Sequence, residues 1–288
     1  MKRNPAEDGG CVSKSLCDWE AGAGKYIGWL LVLTDWTMFD ETRRHEIEDA
    51  LLSYRKELER DPERNASWKW LEGGPRTSPK AANKFLLRSY INYRWRDSVA
   101  TDKVVELVEK ELGDPDNLWA RIREIPFEDW YRSYSDRPMH STPARHEGVW
   151  HLAVRMGRLF QDDATKLWRE GSLQITRDRI SDELLFGDQM TRMTVGALWD
   201  EELVTGVADV KADLHVRRVV GRLCAGRELS ASEATNFTRE LHSANPWLLD
   251  WPLFEIGGEY CLKSGPKCAA CPVRQACTLG GGRPIAVM

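Results

Sequence analysis

Cys261-Leu262-Lys263-Ser264-Gly265-Pro266-Lys267-Cys268-Ala269-Ala270-Cys271-Pro272-Val273-Arg274-Gln275-Ala276-Cys277 places four cysteines within seventeen residues, at the spacing C-x6-C-x2-C-x5-C. Each gap is only a turn or two of chain, so four thiolates can wrap one centre. Thiolates are soft ligands and suit zinc or iron–sulfur. Structural zinc sites usually pair two short knuckles, one CxxC with a second. Here a single knuckle, Cys268 to Cys271, is flanked by longer gaps, which weakens zinc and leaves it open. The chain has seven cysteines; in a reducing compartment, crowding four of them together points to metal rather than disulfides. From Cys261 onward there are four basic residues, Lys263, Lys267, Arg274 and Arg283, and no acidic one. A loop pinned at both ends by a metal centre can hold Lys263 and Lys267 against phosphates. Exposed lysines also serve plain solubility.

Upstream runs Lys211-Ala212-Asp213-Leu214-His215-Val216-Arg217-Arg218-Val219-Val220-Gly221-Arg222-Leu223. Val216, Val219, Val220 and Leu223 follow the i, i+3, i+4, i+7 spacing of a buried helical stripe. Asp213 directly precedes that stripe, where a carboxylate caps the helix. Arg217 and Arg218 are neighbours and cannot share a helix face, so at most one is a strong contact for a nucleic-acid backbone.

The rest of the chain is also read as helical. Ile47, Leu51, Leu52 and Leu58 punctuate a charged segment from about Glu41 to Arg60. Phe85 to Arg96 is an apolar helix with a basic-aromatic tip, and Trp150, Ala153, Met156, Leu159 and Phe160 form another apolar face. No alternating strand pattern stands out. The tract Gly73 to Pro79 is a breaker and marks a module boundary. The 288 residues carry a net charge of −4, so any contact with DNA must come from local basic patches rather than from the whole protein. No stretch approaches the roughly 18 apolar residues of a membrane span, and no leader pattern opens the chain. A cytosolic protein, nuclear in a eukaryote, is expected.

The cysteine spacing resembles the iron–sulfur loop that closes the endonuclease III family of helix-hairpin-helix DNA glycosylases. The lead-in Pro252 to Cys261 is similar to the helix that feeds the first cysteine there. Lys263 to Pro272 is especially similar to the adenine-mismatch branch. The resemblance implies a [4Fe-4S] cluster on Cys261, Cys268, Cys271 and Cys277. It also implies an all-α, two-lobed fold with a cleft between the lobes. Asp213, followed by His215, Val216, Arg218 and Val219, is similar to the family's catalytic segment, in which an aspartate assists departure of a base from its sugar. The chemistry explains the carboxylate: breaking an N-glycosidic bond builds positive charge on the sugar. Capping and catalysis are compatible roles, since a helix N-terminus keeps the carboxylate fixed and ionised.

In that family a Gly-x-Gly hairpin grips a phosphate some twenty residues before the aspartate, and a lysine after the turn is the nucleophile of bifunctional members. The matching stretch here is Leu185-Phe186-Gly187-Asp188-Gln189-Met190-Thr191-Arg192-Met193-Thr194-Val195. Only Gly187 keeps the turn, Asp188 would sit unfavourably near a phosphate, and Thr191 falls at the lysine position. A strand-cleaving Schiff base needs an amine, so monofunctional chemistry is expected. The family's adenine-specific members carry a glutamate on an early helix. The matching helix, Phe85 to Trp95, has no carboxylate, so adenine specificity is not supported.

The resemblance therefore implies DNA contacts at Gly187, Gln189, Thr191 and Arg192 in the hairpin, at Lys211 and Arg217 beside the aspartate, and at Lys263 and Lys267 in the loop. Arg94 and Trp95 are candidates for a wedge that fills the gap left by a flipped base. The expected partner is double-stranded DNA, met by a monomer. The expected organisation is an N-terminal extension of unknown role over 1–80, a glycosylase-like domain over 81–260 with a degenerate hairpin at about 180–225, and a cluster loop over 261–288. Two rivals share the fold: a DNA-binding protein that has lost excision, and an enzyme with another reaction, such as group transfer, on a modified base. Cys11, Cys17 and Cys224 are read as ordinary thiols.

Overall fold

The computed structural model describes residues 41–64, 78–91, 109–113, 116–135 and 143–280. The chain divides into two compact units, 1–42 and 43–288. Apart from Glu41 and Thr42, the described residues belong to the second unit. Among the described residues no strand occurs, only an isolated bridge between Ser172 and Thr205.

The helices are α1 (Glu41–Arg60), α2 (Pro79–Ile91), α3 (Leu118–Glu124), α4 (Phe127–Ser135), α5 (Pro143–Phe160), α6 (Thr165–Trp168), α7 (Leu173–Asp178), α8 (Asp188–Asp200), α9 (Leu214–Cys224), α10 (Ala231–Leu241) and α11 (Asp250–Glu259). Local chemistry sets several of their starts. Ser172 caps α7 through the Ile175 amide. Ser230 and Glu233 form a reciprocal capping box at α10, an arrangement that satisfies two otherwise orphaned N–H groups. Asp213 caps α9.

Two sets of buried residues build two lobes. One core gathers Phe85 and Leu86 of α2, Trp119 and Ile122 of α3, Leu152 and Met156 of α5, and Val195 and Leu198 of α8. The other set lies outside that cluster: Val216, Val219, Val220 and Leu223 on α9, Phe237 on α10, and Leu253 and Ile256 on α11, all nearly inaccessible. The valine stripe read from the sequence is thus the buried face of α9. The α5 face differs from expectation. Val149, Leu152, Ala153, Met156 and Phe160 form its buried stripe, whereas Leu159 is 39% exposed. Leu159 lies one position off the i, i+3, i+4 path that begins at Val149.

Helix α1 joins the second lobe. Its Ile47, Leu51, Tyr54 and Leu58 are buried. Arg43 donates to the Ala276 carbonyl at 2.6 Å, Arg55 to the Leu248 carbonyl at 3.1 Å, and Glu48 meets His242 at 2.6 Å. Residues 43–60 therefore belong structurally with the carboxyl-terminal part of the chain. The breaker at Gly73–Thr77 lies outside the described residues.

Helices α9 and α11 cross closely because Gly257 has no side chain. A Cβ there would stand 2.6 Å from His215 Cβ and 3.0 Å from its Cα. Gly257→Ala should cost about 1–3 kcal/mol by overpacking. Chemical denaturation should show a lower midpoint with an unchanged slope.

Candidate functional site

Asp213 is the last residue before α9, and its carboxylate is held from two sides. Oδ1 accepts from the amides of His215 (2.8 Å) and Val216 (3.0 Å). Oδ2 faces Lys211 Nζ at 3.1 Å. Burial pushes this carboxyl up, but Lys211 and the Val216 amide outweigh burial and hold it below the ordinary aspartate range. Lys211 and Asp213 reach each other because Ala212 between them adopts a left-handed conformation, φ +50°. A non-glycine residue there is strained by about 1–3 kcal/mol, so the neighbouring structure must impose it. The clamps are visible. Lys211 N–H donates to Asp250 Oδ1 at 2.6 Å, Trp247 N–H to the Ala208 carbonyl at 2.8 Å, and Arg239 grips Asp209 through both nitrogens at 2.6 and 2.7 Å.

The far end of α9 holds the cysteine loop. Arg222 donates to Cys261 Sγ at 3.3 Å, to the Leu262 carbonyl at 2.7 Å and to the Lys263 carbonyl at 3.1 Å. Arg218 donates to the carbonyls of Cys261 (2.6 Å) and Gly257 (2.8 Å). Thr278 returns a bond to the Arg222 carbonyl at 2.8 Å. Cys261, Cys268, Cys271 and Cys277 all line one hollow, floored by Val219, Leu223 and Ile256. None of them is in a disulfide. Burial pushes the Cys271 and Cys277 thiols up, and the other cysteine sulfurs add to the shift. Among the described residues, no group of three or more His, Cys, Asp or Glu is gathered closely enough to hold a single metal ion.

The helix–turn–helix ahead of Asp213 runs from α7, through a π-helical turn at Arg179–Glu183, to α8. The turn closes with Phe186 N–H on the Ile180 carbonyl at 3.1 Å and with Leu185 at φ +59°. This is a position that glycine usually fills at a helix end. Leu185 is 61% exposed at the tip. Gly187 begins α8 with no side-chain cap. Asp188, adverse to a phosphate, is engaged by Arg192 Nε at 2.9 and 3.0 Å.

No family model and no curated protein matches the sequence. Solved structures do match its fold. A thermostable thymine-DNA glycosylase superposes with a TM-score of 0.56 at 14% identity, covering 82% of this chain and 96% of that one. Endonuclease III trapped covalently with DNA, in an estranged-adenine complex, gives 0.54 at 15%, covering 80% and 93%. A non-covalent endonuclease III–DNA complex gives 0.54 at 16%, covering 81% and 96%. The fold is that of the helix-hairpin-helix DNA glycosylases.

Within this glycosylase fold the expected contact residues separate into two groups. Gly187, Lys263 and Lys267 are exposed, and Gln189 is half-buried at the start of α8. The others are directed inward. Thr191 is buried, with its hydroxyl on the Phe186 carbonyl at 3.4 Å. Beyond Asp188, Arg192 reaches the Val210 carbonyl and Thr235. Arg217 donates to the Leu229 carbonyl at 2.7 Å. Lys211 is shielded beside Asp213, its ammonium 4.6 Å over the Phe254 ring. Arg94 and Trp95 lie outside the described residues, as do Cys11 and Cys17. Cys224 is buried, and burial beside Cys277 pushes its thiol far up. No helix among the described residues is long and apolar enough to cross a membrane.

Sequence reasoning passed over Asp250. It is 1% exposed, and its Oδ2 has no hydrogen-bond partner. Burial pushes its carboxyl up to about 6 against the pull of Lys211. A carboxyl whose folded pKa is raised binds protons that the unfolded chain has already lost. Its stabilising contribution is therefore intact at low pH and disappears as pH rises towards about 6. Asp250→Asn should melt above the wild type at pH 8, by a margin of up to about 3 kcal/mol at 1.36 kcal/mol per pKa unit. The margin should vanish near pH 4 in paired thermal melts.

Proposed function

We propose that this chain is a monofunctional DNA N-glycosylase that flips a damaged, mismatched or modified base out of the duplex and releases it. The observation that carries the reading is α9 itself. It presents a fixed, ionised carboxylate at one end and anchors the four-cysteine loop at the other, within a glycosylase fold.

Asp213 would face the sugar as its C1′–N bond breaks. A preorganised carboxylate with little water around it stabilises the developing cation far better than a solvated one. The same anion can orient the attacking water. Gly187 and the start of α8 would meet a phosphate, with Lys263 and Lys267 adding positive charge. The arginines on α9 point into the protein and would serve the fold.

The cysteines fit a [4Fe-4S] cluster. What supports the reading is that the four cysteines line one hollow and that Arg222 donates to Cys261 Sγ at 3.3 Å. Arg222 and the loop amides would stabilise thiolate charge. The cluster would brace the loop and take no part in bond cleavage.

The purified chain should form abasic sites on at least one duplex from a panel of altered and mismatched bases. Borohydride should trap no covalent adduct, because the hairpin has Thr191 at the lysine position and the amine beside Asp213, Lys211, is held as an ammonium by its carboxylate neighbours. A trapped adduct would remove the monofunctional assignment. The reduced hairpin turn supports a second reading, a DNA-binding protein without excision. Binding to the same duplexes without base release would establish that one instead.

A further inference from the structure

The candidate excision centre contains three ionisable groups, of which the reading above uses only one. Lys211 lies between two carboxylates. Its Nζ is 3.1 Å from Asp213 Oδ2, and its backbone N–H is tied to Asp250 Oδ1. The second oxygen of Asp250 is buried and unpartnered, an expensive state that calls for a reason. The titratable groups facing this trio are Asp200 at the end of α8, which acts on Asp250, and His215 on α9, beside Asp213. Burial alone would discharge the lysine, but the two carboxylates outweigh it and keep it an ammonium.

That ammonium creates a conflict. A cation already paired with Asp213 cancels the charge that a developing sugar cation needs. The conflict disappears if the lysine gives up its proton during the reaction. A departing base also needs a proton, and Lys211 Nζ is the proton donor that stands against Asp213, at 3.1 Å.

Resting on the glycosylase reading, we propose that Lys211 is the general acid, positioned by Asp250, whose proton goes to the departing base and whose discharge frees Asp213 to face the sugar cation. The bookkeeping of atoms closes. The electrons of the C1′–N bond leave with the base, and a proton from Nζ joins a nitrogen or oxygen of that base. The oxygen of a water molecule bonds to C1′, and its surplus proton returns to Nζ. The sum is hydrolysis, with the ammonium restored and no further reactant. The coupling also answers the objection that a well-paired ammonium is a weak acid. As the sugar becomes positive it competes for Asp213 and repels Lys211, so the proton is released most readily when the base departs. The orphaned oxygen of Asp250 then has a role: it maintains negative field on the lysine from the buried side without offering a rival hydrogen bond to Nζ.

The test uses the full chain, wild type, Lys211→Arg and Lys211→Gln, on whichever duplex of the panel the wild type cleaves. Arginine keeps the ion pair but holds its proton too tightly to give it away. Both variants should lose about 10²-fold or more in single-turnover rate, the usual scale of general acid catalysis. Lys211→Arg should keep a melting temperature and DNA affinity near wild type, whereas Lys211→Gln should melt lower because it leaves Asp213 and Asp250 uncompensated, so its rate is read only under conditions where a melt shows it folded. A fluorinated analogue of the released base, a better leaving group without protonation, should restore the variants far more than it accelerates the wild type. Full activity in Lys211→Arg with loss only in Lys211→Gln would reduce Lys211 to a structural ion pair and overturn the proposal. Equal acceleration of all three proteins by fluorination would do the same. Absence of any cleavage by the wild type would instead remove the glycosylase reading itself.

Discussion

Asp213→Asn should bind duplex DNA within about threefold of the wild type, yet release base at least ~10³-fold more slowly, the order seen when a preorganised electrostatic group is removed. The substitution isolates charge from geometry. Asparagine is as good a helix cap as aspartate, so its side-chain oxygen can still accept from the His215 and Val216 amides that now hold Oδ1. The backbone kink at Ala212 and the start of α9 should persist. The lost feature is the negative charge at Oδ2, which is 15% exposed as part of its side chain and paired with Lys211. In so shielded a place a unit charge acts at an effective dielectric nearer 20 than 80, worth several kcal/mol against a cation about 4 Å away. Single-turnover excision, run beside fluorescence anisotropy on the same duplex, separates the two quantities. Retained excision in Asp213→Asn would mean that the carboxylate is only a cap. Parallel loss of affinity and rate would point to a damaged fold, which a thermal melt would reveal.

The sequence was most readable where interactions are local. The cysteine spacing needs only a short loop, and the same four residues line one hollow, though no three of them are gathered closely enough for a single ion. The valine stripe of α9 and the cap at Asp213 follow from helical periodicity and the chemistry of an N-terminus, and both appear in the structure. The parts that stayed hidden depend on distant partners. Nothing near Lys211 in the chain reveals that Asp250, thirty-nine positions later, ties down its amide. Arg192 and Arg217 look like phosphate ligands in a one-dimensional reading. Arg217 is instead turned to the Leu229 carbonyl, and Arg192 to Asp188, the Val210 carbonyl and Thr235. Arginine satisfies buried carbonyls as readily as phosphates, so its type alone does not distinguish the two uses. The left-handed residues Leu185 and Ala212 were equally silent, because neither is a residue type that favours that conformation.

Cys268→Ser should abolish the cluster, and with it a larger share of DNA affinity than any single lysine change. Protein purified without oxygen should be brown, absorb broadly near about 400 nm and carry about four irons per chain, as thiolate-bound [4Fe-4S] proteins do. Cys268 opens the short 3-10 turn Cys268–Ala270 and lies next to exposed Lys267. Removing one corner ligand should unpin that turn, because its own bonds are few: Ala270 N–H on the Lys267 carbonyl at 3.1 Å, Cys271 N–H on the Cys268 carbonyl at 3.2 Å and Lys267 N–H on the Tyr260 carbonyl at 2.8 Å. Lys263 and Lys267 would then no longer be fixed towards the backbone, and the salt dependence of binding should weaken by about two phosphate contacts, a slope change near 1.8. The aspartate end of α9 should respond less. Its cap, its Lys211 partner and the Asp250 tie all lie at the opposite end from Arg222, so excision from saturated complexes should fall by less than affinity does. Zinc in the isolated chain, with no visible absorption, would contradict the cluster assignment. Unchanged salt dependence in a colourless Cys268→Ser protein would contradict the role given to the loop.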